Sequence, residues 1–255
     1  MPQQMKQGVY YFKPLMARVF AQKPLLKKVG VIKYPFLCVI TPVFDPGFES
    51  LCKLIIALKR QTCGRFIHVM ISNGPSPRTR EMVNHLNEQD LRFIYDEIEE
   101  EALPGPVEIL VNLGKRREYC LKKYNADRYV FLDADARICD DDYFKKLFKA
   151  HKEIQRDVLI TLVQMYAGQP DIILPKLPIM VGHIDMANFT FSQRIAKNYS
   201  YPTDFDSSMG ISNDYRFFSR IATEDNTALL NFLSVVRDGN STYKRLTELF
   251  NETKP

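Results

Sequence analysis

The strongest constraint on this fold is a rhythm. From residue 36 to 155, short apolar runs alternate with segments whose apolar residues fall at helical spacing. FLCVITPVF (36–44) is rich in β-branched residues and reaches its end near Pro42, as a buried strand does. FESLCKLIIALKRQT (48–62) follows, with Leu51, Leu54, Ile55 and Leu58 on one helical face. RFIHVMISNG (65–74) reads as a second strand, PRTREMVNHLNEQ (77–89) as a polar helix and LRFIYDE (91–97) as a third strand. VEILV (107–111) reads as a further short strand and GKRREYCLKKY (114–124) as a basic helix. DRYVFLDAD (127–135) is the next strand and DDYFKKLFKAHKEIQ (141–155) the next helix. Such an order predicts an α/β fold, a mainly parallel sheet flanked by helices on both faces. Ligands in these sheets bind outside the carboxyl ends of the strands, which here read TPVFD, SNG and DAD.

The second half is less regular. DVLITLVQMYAG (157–168) reads as another strand, whereas 179–199 and 212–233 carry apolar helical faces with embedded acids. With neither repeat nor linker, a single continuous domain is expected over 36–240. Its nucleotide-side half covers 36–140 and its acceptor-side half 141–240, between a basic arm (1–35) and a tail (241–255).

Charge narrows the function. Residues 1–36 hold Lys6, Lys13, Arg18, Lys23, Lys27, Lys28 and Lys33 and no acid, leaving 28 basic and 30 acidic side chains for the rest. A slightly acidic body argues against a nucleic-acid partner. The arm interleaves apolar Leu15, Met16, Val19, Phe20, Leu25 and Leu26, so it reads either as an amphipathic contact with an anionic membrane face or as a helix packed on its own domain. No run approaches ~18 apolar residues and the start lacks a secretory pattern, which predicts a cytoplasmic protein, soluble or peripheral on a membrane face. Five cysteines without a CxxC pair predict neither a disulfide framework nor a zinc site, and a reducing compartment. The four sequons, at Asn188, Asn198, Asn240 and Asn251, are then chance matches.

FLDADARICDDDYF (131–144) concentrates the candidate chemistry. If the strand runs on through Asp133 and Asp135, alternate side chains point the same way and two carboxylates converge on one site. Asp140, Asp141 and Asp142 sit instead where a helix would begin, and its dipole favours acids there.

TPVF at a strand end, a polar turn after the second strand, NLG before a basic helix, FLDAD, and a later Asp in SNDYRFFSRI occur in one order. In that order the sequence resembles glycosyltransferase family 2, over about residues 36–233. The resemblance implies a GT-A-type, Rossmann-like fold and inverting, metal-dependent transfer of a sugar from a UDP-, GDP- or dTDP-sugar to an acceptor hydroxyl, expected on a glycan. It implies that Thr41, Pro42 and Phe44 line the base pocket, that the DxD motif of Asp133 and Asp135 holds the metal and the donor, and that Asp214 is the base. Mn²⁺ or Mg²⁺ suits such carboxylates, being a hard cation that bridges them to phosphate oxygens.

Other positions carry two readings each. Asn73 falls where the family often has a base-reading Asp, and Asn73-Gly74 equally suits a tight turn. Lys115, Arg116 and Arg117 offer cations to the diphosphate or a solvated basic face. Asn213-Asp214 also fits a helix N-cap, and Glu224-Asp225 competes as the base. His183 and Asp185 in VGHIDMANF are candidates for a donor or acceptor pocket. Two alternative functions remain: a nucleotidyltransferase, though TPVFDPGFES lacks its Gly-rich loop, and a non-catalytic glycan- or partner-binding domain of the same fold.

Overall fold

The structure, a computed structural model, describes residues 16–21, 32–43, 47–99, 107–166, 170–173, 177–179, 185–204 and 213–238. Phe44 and His183 lie outside these residues, as does most of the basic arm. Residues 16–21 are helical (α1). Then come β1 (Leu37–Val43), α2 (Phe48–Lys59), β2 (Phe66–Asn73), α3 (Pro77–Asn87), β3 (Phe93–Ile98), α4 (Val107–Lys123), β4 (Arg128–Phe131) and β5 (Ala136–Ile138). The second half holds α5 (Tyr143–Ile154), β6 (Val158–Tyr166), β7 (Pro170–Ile173), a 3₁₀ turn (Met186–Asn188), β8 (Phe189–Ser192), α6 (Gln193–Asn198), α7 (Asn213–Ile221) and β9 (Thr227–Asp238).

One sheet runs in the order β3-β2-β1-β4-β8-β6-β9-β5, with β7 added on β6. The first four strands are parallel, as the βαβ rhythm requires, with Leu37 opposite both Phe66 and Arg128. β8 is antiparallel to β4 and to β6, and β9 then runs parallel to β6. The strands bury both faces, so β1 reads as continuous apolar sequence rather than as an alternation. One face packs Leu51, Leu54, Ile55 and Leu58 of α2 and Phe144 and Leu147 of α5. The other packs Cys120 and Leu121 of α4, Ile195 of α6 and Phe217, Phe218 and Ile221 of α7. Each such side chain, fully buried, contributes about 1.5–3 kcal/mol.

Three expected elements differ. The apolar helical face expected over 179–199 is, among its described residues, the 3₁₀ turn, β8 and the short α6, because Phe189 to Ser192 pair with β4 and β6. VEILV (107–111) opens α4 rather than forming a strand. Five apolar residues are too short to distinguish the two by pattern, and continuity with the helix that follows decides. The expected apolar helix over 212–233 is α7 followed by β9, split at the turn 223–226. The run TALLNFLSVVRD gains more by pairing with β6 along its length than by coiling.

The described part of the arm packs on its own domain. Val19 is fully buried, Lys59 Nζ donates to its carbonyl at 2.7 Å, and Phe20 lies 5.5 Å from the His85 ring. All five cysteines are free. Among the described residues, no helix is long and apolar enough to cross a membrane.

α5 has a different course from the other helices. Phe144 meets Phe66 at the start of β2, Phe148 meets Phe36 just before β1, and His151 accepts from Arg128 at the start of β4. The helix therefore crosses the amino ends of three parallel strands. Asp140, Asp141 and Asp142 precede it on that edge, opposite the edge where ligands of such sheets bind.

Candidate active site

β4 ends at Phe131, and its carboxyl end delivers Asp133. Asp133 and Asp135 do not continue the strand: Ala136 N donates to Asp133 O at 2.9 Å, closing a tight turn into β5. The strand-pleat argument for their convergence is thus replaced by a turn, which holds both carboxylates half-exposed around the buried Ala134. β4 can form no longer a strand here because the chain must reverse to pair β5 antiparallel with β9.

The centre of the site is Arg117. The expected solvated basic face of α4 is not what forms, since Arg116 and Arg117 are 7% and 3% exposed while Lys115 is half-buried. Arg116 Nε bonds the Asn112 carbonyl at 3.1 Å, and its Nη1 reaches the Val43 carbonyl at 3.4 Å, at the carboxyl end of β1. Arg117 Nη1 donates to Asp214 Oδ1 and to Tyr201 Oη, both at 2.7 Å, and its Nη2 donates to Asp133 Oδ1 at 3.3 Å. Its guanidinium also lies 5.3 Å and 5.4 Å from the rings of Phe131 and Tyr201. Burial opposes the charge, but Tyr201, Asp214 and Asp133 together raise the Arg117 pKa above its already high ordinary value.

Asp214 lies in the first turn of α7. Its carboxylate does not act as a helix cap: Arg117 and the Tyr201 hydroxyl both donate to Oδ1, and Oδ2 accepts no bond among the described residues. Burial pushes Asp214 above the usual carboxylate range. Arg117 and Tyr201 oppose that shift, and repulsion from Asp133 and Asp185 adds to it.

Gly114 makes the arrangement sterically feasible. A Cβ there would lie 2.3 Å from the Pro202 carbonyl oxygen, so only glycine lets the 201–203 segment lie against α4. One turn on, Glu118 Oε2 accepts from Tyr201 N at 2.7 Å. Gly114, Arg117 and Glu118 share one helical face, i, i+3, i+4, and together they dock this segment.

The other expected site residues do not bond Arg117 among the described residues. Thr41 is fully buried in β1, where its hydroxyl meets His68 Nε2 at 2.9 Å; burial lowers the His68 pKa to about 3. Pro42 is buried beside it. Asn73 is exposed at the end of β2, followed by Gly74 at φ 67°, the left-handed conformation of a tight turn. Asp185 caps the 3₁₀ turn, accepting from Ala187 N at 2.9 Å. Glu224 and Asp225 are exposed in a turn whose Asn226 carbonyl accepts from Val158 N at 3.0 Å. That is the amino edge of the sheet, away from Asp133, and it removes the pair as a competing base.

The acidic triplet is structural, as its position before a helix predicts. Asp142 is the N-cap residue of α5, although its side chain bonds Thr62 rather than the helix. Gln61 supplies the cap instead, its Oε1 accepting from Phe144 N at 3.0 Å. Asp141 pairs with Arg60 at 2.8 Å and Asp140 with Lys146.

Sequence reasoning missed Tyr201, Gly114 and the burial of Arg116. A glycine within a helical pattern was the available signal, because it marks a close approach of backbone. Tyr201 carried none.

The fold is a glycosyltransferase fold of the GT-A type, as the resemblance implies. The chain superposes on S. aureus TarS residues 1–349 with a TM-score of 0.63 at 17% identity, covering 79% of this chain and 60% of that one. The same protein in complex with UDP-GlcNAc matches at 0.63 and 16%, covering 81% and 59%. The mannosyltransferase PcManGT from Pyrobaculum calidifontis, in complex with GDP-Man and Mn²⁺, matches at 0.52 and 15%, covering 90% and 63%. The chain thus spans about three-fifths of the length of these structures. No family model and no curated protein matches the sequence.

Proposed function

We propose that this protein is an inverting glycosyltransferase that moves a sugar from a nucleoside-diphosphate sugar to the hydroxyl of an acceptor, a glycan by preference. One observation carries the reading. Arg117 bonds both Asp133 of the DxD turn and Asp214, residues 16 and 97 positions away from it along the chain. A donor-binding motif and a carboxylate whose Oδ2 accepts no bond among the described residues therefore share one buried cation at the carboxyl edge of the sheet, where ligands of such folds bind. The neighbours in complex with UDP-GlcNAc and with GDP-Man and Mn²⁺ support the donor class.

Asp133 and Asp135 are the residues that would hold Mn²⁺ or Mg²⁺. Half-exposed carboxylates on a turn suit a hard, oxygen-seeking cation, and the donor's phosphates would complete its ligands. Among the described residues no group of three or more His, Cys, Asp or Glu side chains could hold a metal by itself. When bound, the ion neutralises the charge that builds on the departing diphosphate.

The chain's own part in the reaction is proton removal and positioning. Asp214 Oδ2 takes the proton from the acceptor hydroxyl as its oxygen attacks the anomeric carbon, and the nucleoside diphosphate leaves from the opposite face. A raised pKa makes Asp214 a stronger base than an ordinary carboxylate. Arg116 of α4 reaches the Val43 carbonyl at the carboxyl end of β1, with Lys115 beside it, and this supports a role for these cations toward the nucleotide's negative charge. The membrane contact of the arm belongs to this proposal only outside residues 16–21, which pack on the domain.

The test is hydrolysis and transfer from a panel of UDP-, GDP- and dTDP-sugars with Mn²⁺, comparing the wild type with Asp214→Asn. Sugar release that depends on Asp214 supports the reading. Release of pyrophosphate from a nucleoside triphosphate and a sugar phosphate would make the protein a nucleotidyltransferase instead.

A further inference from the structure

Asp214 is held by more than its salt bridge. Tyr201 is 1% exposed, and its position is fixed from three sides. Its ring stands edge-on to Phe131 at 5.4 Å and 81°, and lies 5.0 Å from Phe217. Its backbone N–H is bound by Glu118 at 2.7 Å. The carbonyl of the next residue, Pro202, passes over Gly114 and accepts from Asn213 Nδ2 at 3.4 Å, which ties the first residue of α7 to the same strip of chain. The segment is thus clamped between α4 and α7, and the hydroxyl at its centre meets Asp214.

The hydroxyl has a defined direction. It accepts from Arg117 Nη1 at 2.7 Å and donates to Asp214 Oδ1. Burial, with Asp214 adding to it against Arg117, keeps the phenol protonated far above its ordinary range, so it is a donor to the carboxylate throughout the working range of pH. An ionised carboxylate has two oxygens and about four lone-pair positions. Here both strong donors converge on Oδ1, and Oδ2 is left unbonded among the described residues on a side chain 29% exposed.

We propose that Tyr201 is a positioning residue for the transfer, its hydroxyl and Arg117 together holding Oδ1 of Asp214 so that Oδ2 is the oxygen presented to the acceptor hydroxyl. The inference rests on the assignment of Asp214 as the base and adds the residue that orients it. Phenylalanine would fill the same apolar space between Phe131 and Phe217, so packing does not account for the hydroxyl. Arg117 alone does not fix the carboxylate, because only its Nη1 bonds Asp214 while its Nη2 bonds Asp133. Tyr201 supplies a second donor on the same oxygen from a different direction, and two donors on one oxygen stop the carboxylate from turning about its Cβ–Cγ bond.

The experiment uses the full chain as wild type, Tyr201→Phe, Asp214→Asn and the double variant. Donor affinity is read by calorimetry, the transfer rate constant in single turnover, and folding by thermal melting. Tyr201→Phe is expected to keep its melting transition and its donor affinity while transfer falls about 10–100-fold, the effect of losing a hydrogen bond to a charged group. In the Asp214→Asn background the same change is expected to cost nothing further, because the group being oriented is gone. Equal losses in the two backgrounds, or a wild-type rate in Tyr201→Phe, overturn the proposal. A second readout needs no substrate: crystal structures of the wild type and Tyr201→Phe are expected to show Asp214 fixed in the first and rotated or split in the second. An unmoved carboxylate in Tyr201→Phe overturns the proposal. Absence of transfer in the wild type would defeat the glycosyltransferase reading instead, leaving the crystallographic result to decide the orientation.

Discussion

Two acidic clusters lie within ten residues of each other in the chain, and the fold sends them to opposite edges of the sheet. Asp133 and Asp135 leave the carboxyl end of β4 in a tight turn and stay half-exposed, one of them on the buried Arg117. Asp140, Asp141 and Asp142 are carried by the antiparallel β5 to the amino edge, where they bond Lys146, Arg60 and Thr62. The same residue type thus does different work because of where a three-residue strand points. At the carboxyl edge the charge is gathered around one cation, and Asp214 Oδ2 accepts no bond among the described residues. At the amino edge each acid is spent on a neighbour in or beside a helix.

That contrast can be broken from either side. The largest effect is expected at Asp214. Asp214→Asn should lower the transfer rate by about 10²–10⁴-fold, the usual contribution of a positioned base, while calorimetry finds donor affinity unchanged. pH tests the same group without a mutation. Its raised pKa means that the ionised, active form is present above that value and is lost as pH falls through it. The acid limb of the kcat/KM profile should therefore lie above the ordinary carboxylate range, near pH 4, and fall tenfold per pH unit below it. A limb at or below pH 4 would mean that burial does not raise this carboxylate.

Gly114→Ala comes next. Its Cβ would press on the Pro202 carbonyl oxygen, and that backbone cannot move without shifting Tyr201. Overpacking of this kind costs about 1–3 kcal/mol, read by denaturant unfolding, and transfer should fall with it. The smallest effect is expected at the amino edge. Asp141→Ala removes a half-exposed pair with Arg60, should cost less than about 1 kcal/mol, and should leave transfer at the wild-type rate. A marked loss of activity there would show that the two edges are not separate in function.

Much of the first half was legible because its signals are local. β1, β2 and β4 are apolar runs, α2 has its stripe at i, i+3, i+4 and i+7, and Asp133 follows the last apolar residue of its strand. Motif order made Asp214 a candidate, and its bonds to Arg117 and Tyr201 are what the structure adds. What escaped depends on distant partners. Nothing near Arg117 in sequence says that it is buried, since the acids that keep it charged come from the turn after β4 and from α7. The DAD turn was hidden because its cause is the pairing of β5 with β9, about a hundred residues later in the chain. The first half of β9 looked helical because TALLNFL suits either state, and only β6 beside it settles the matter. The course of α5 across the strand starts is likewise set by Phe36 and Phe66, not by its own sequence.

If the carboxyl edge forms a donor site built on the Asp133–Asp135 turn, calorimetry will show it. UDP- and GDP-sugars are titrated into the wild type and into Asp135→Ala, each with and without Mn²⁺. Binding is expected to require the metal in the wild type and to be lost in the variant. Nucleotide binding that is indifferent to both Mn²⁺ and Asp135, or no binding under any condition, would contradict it.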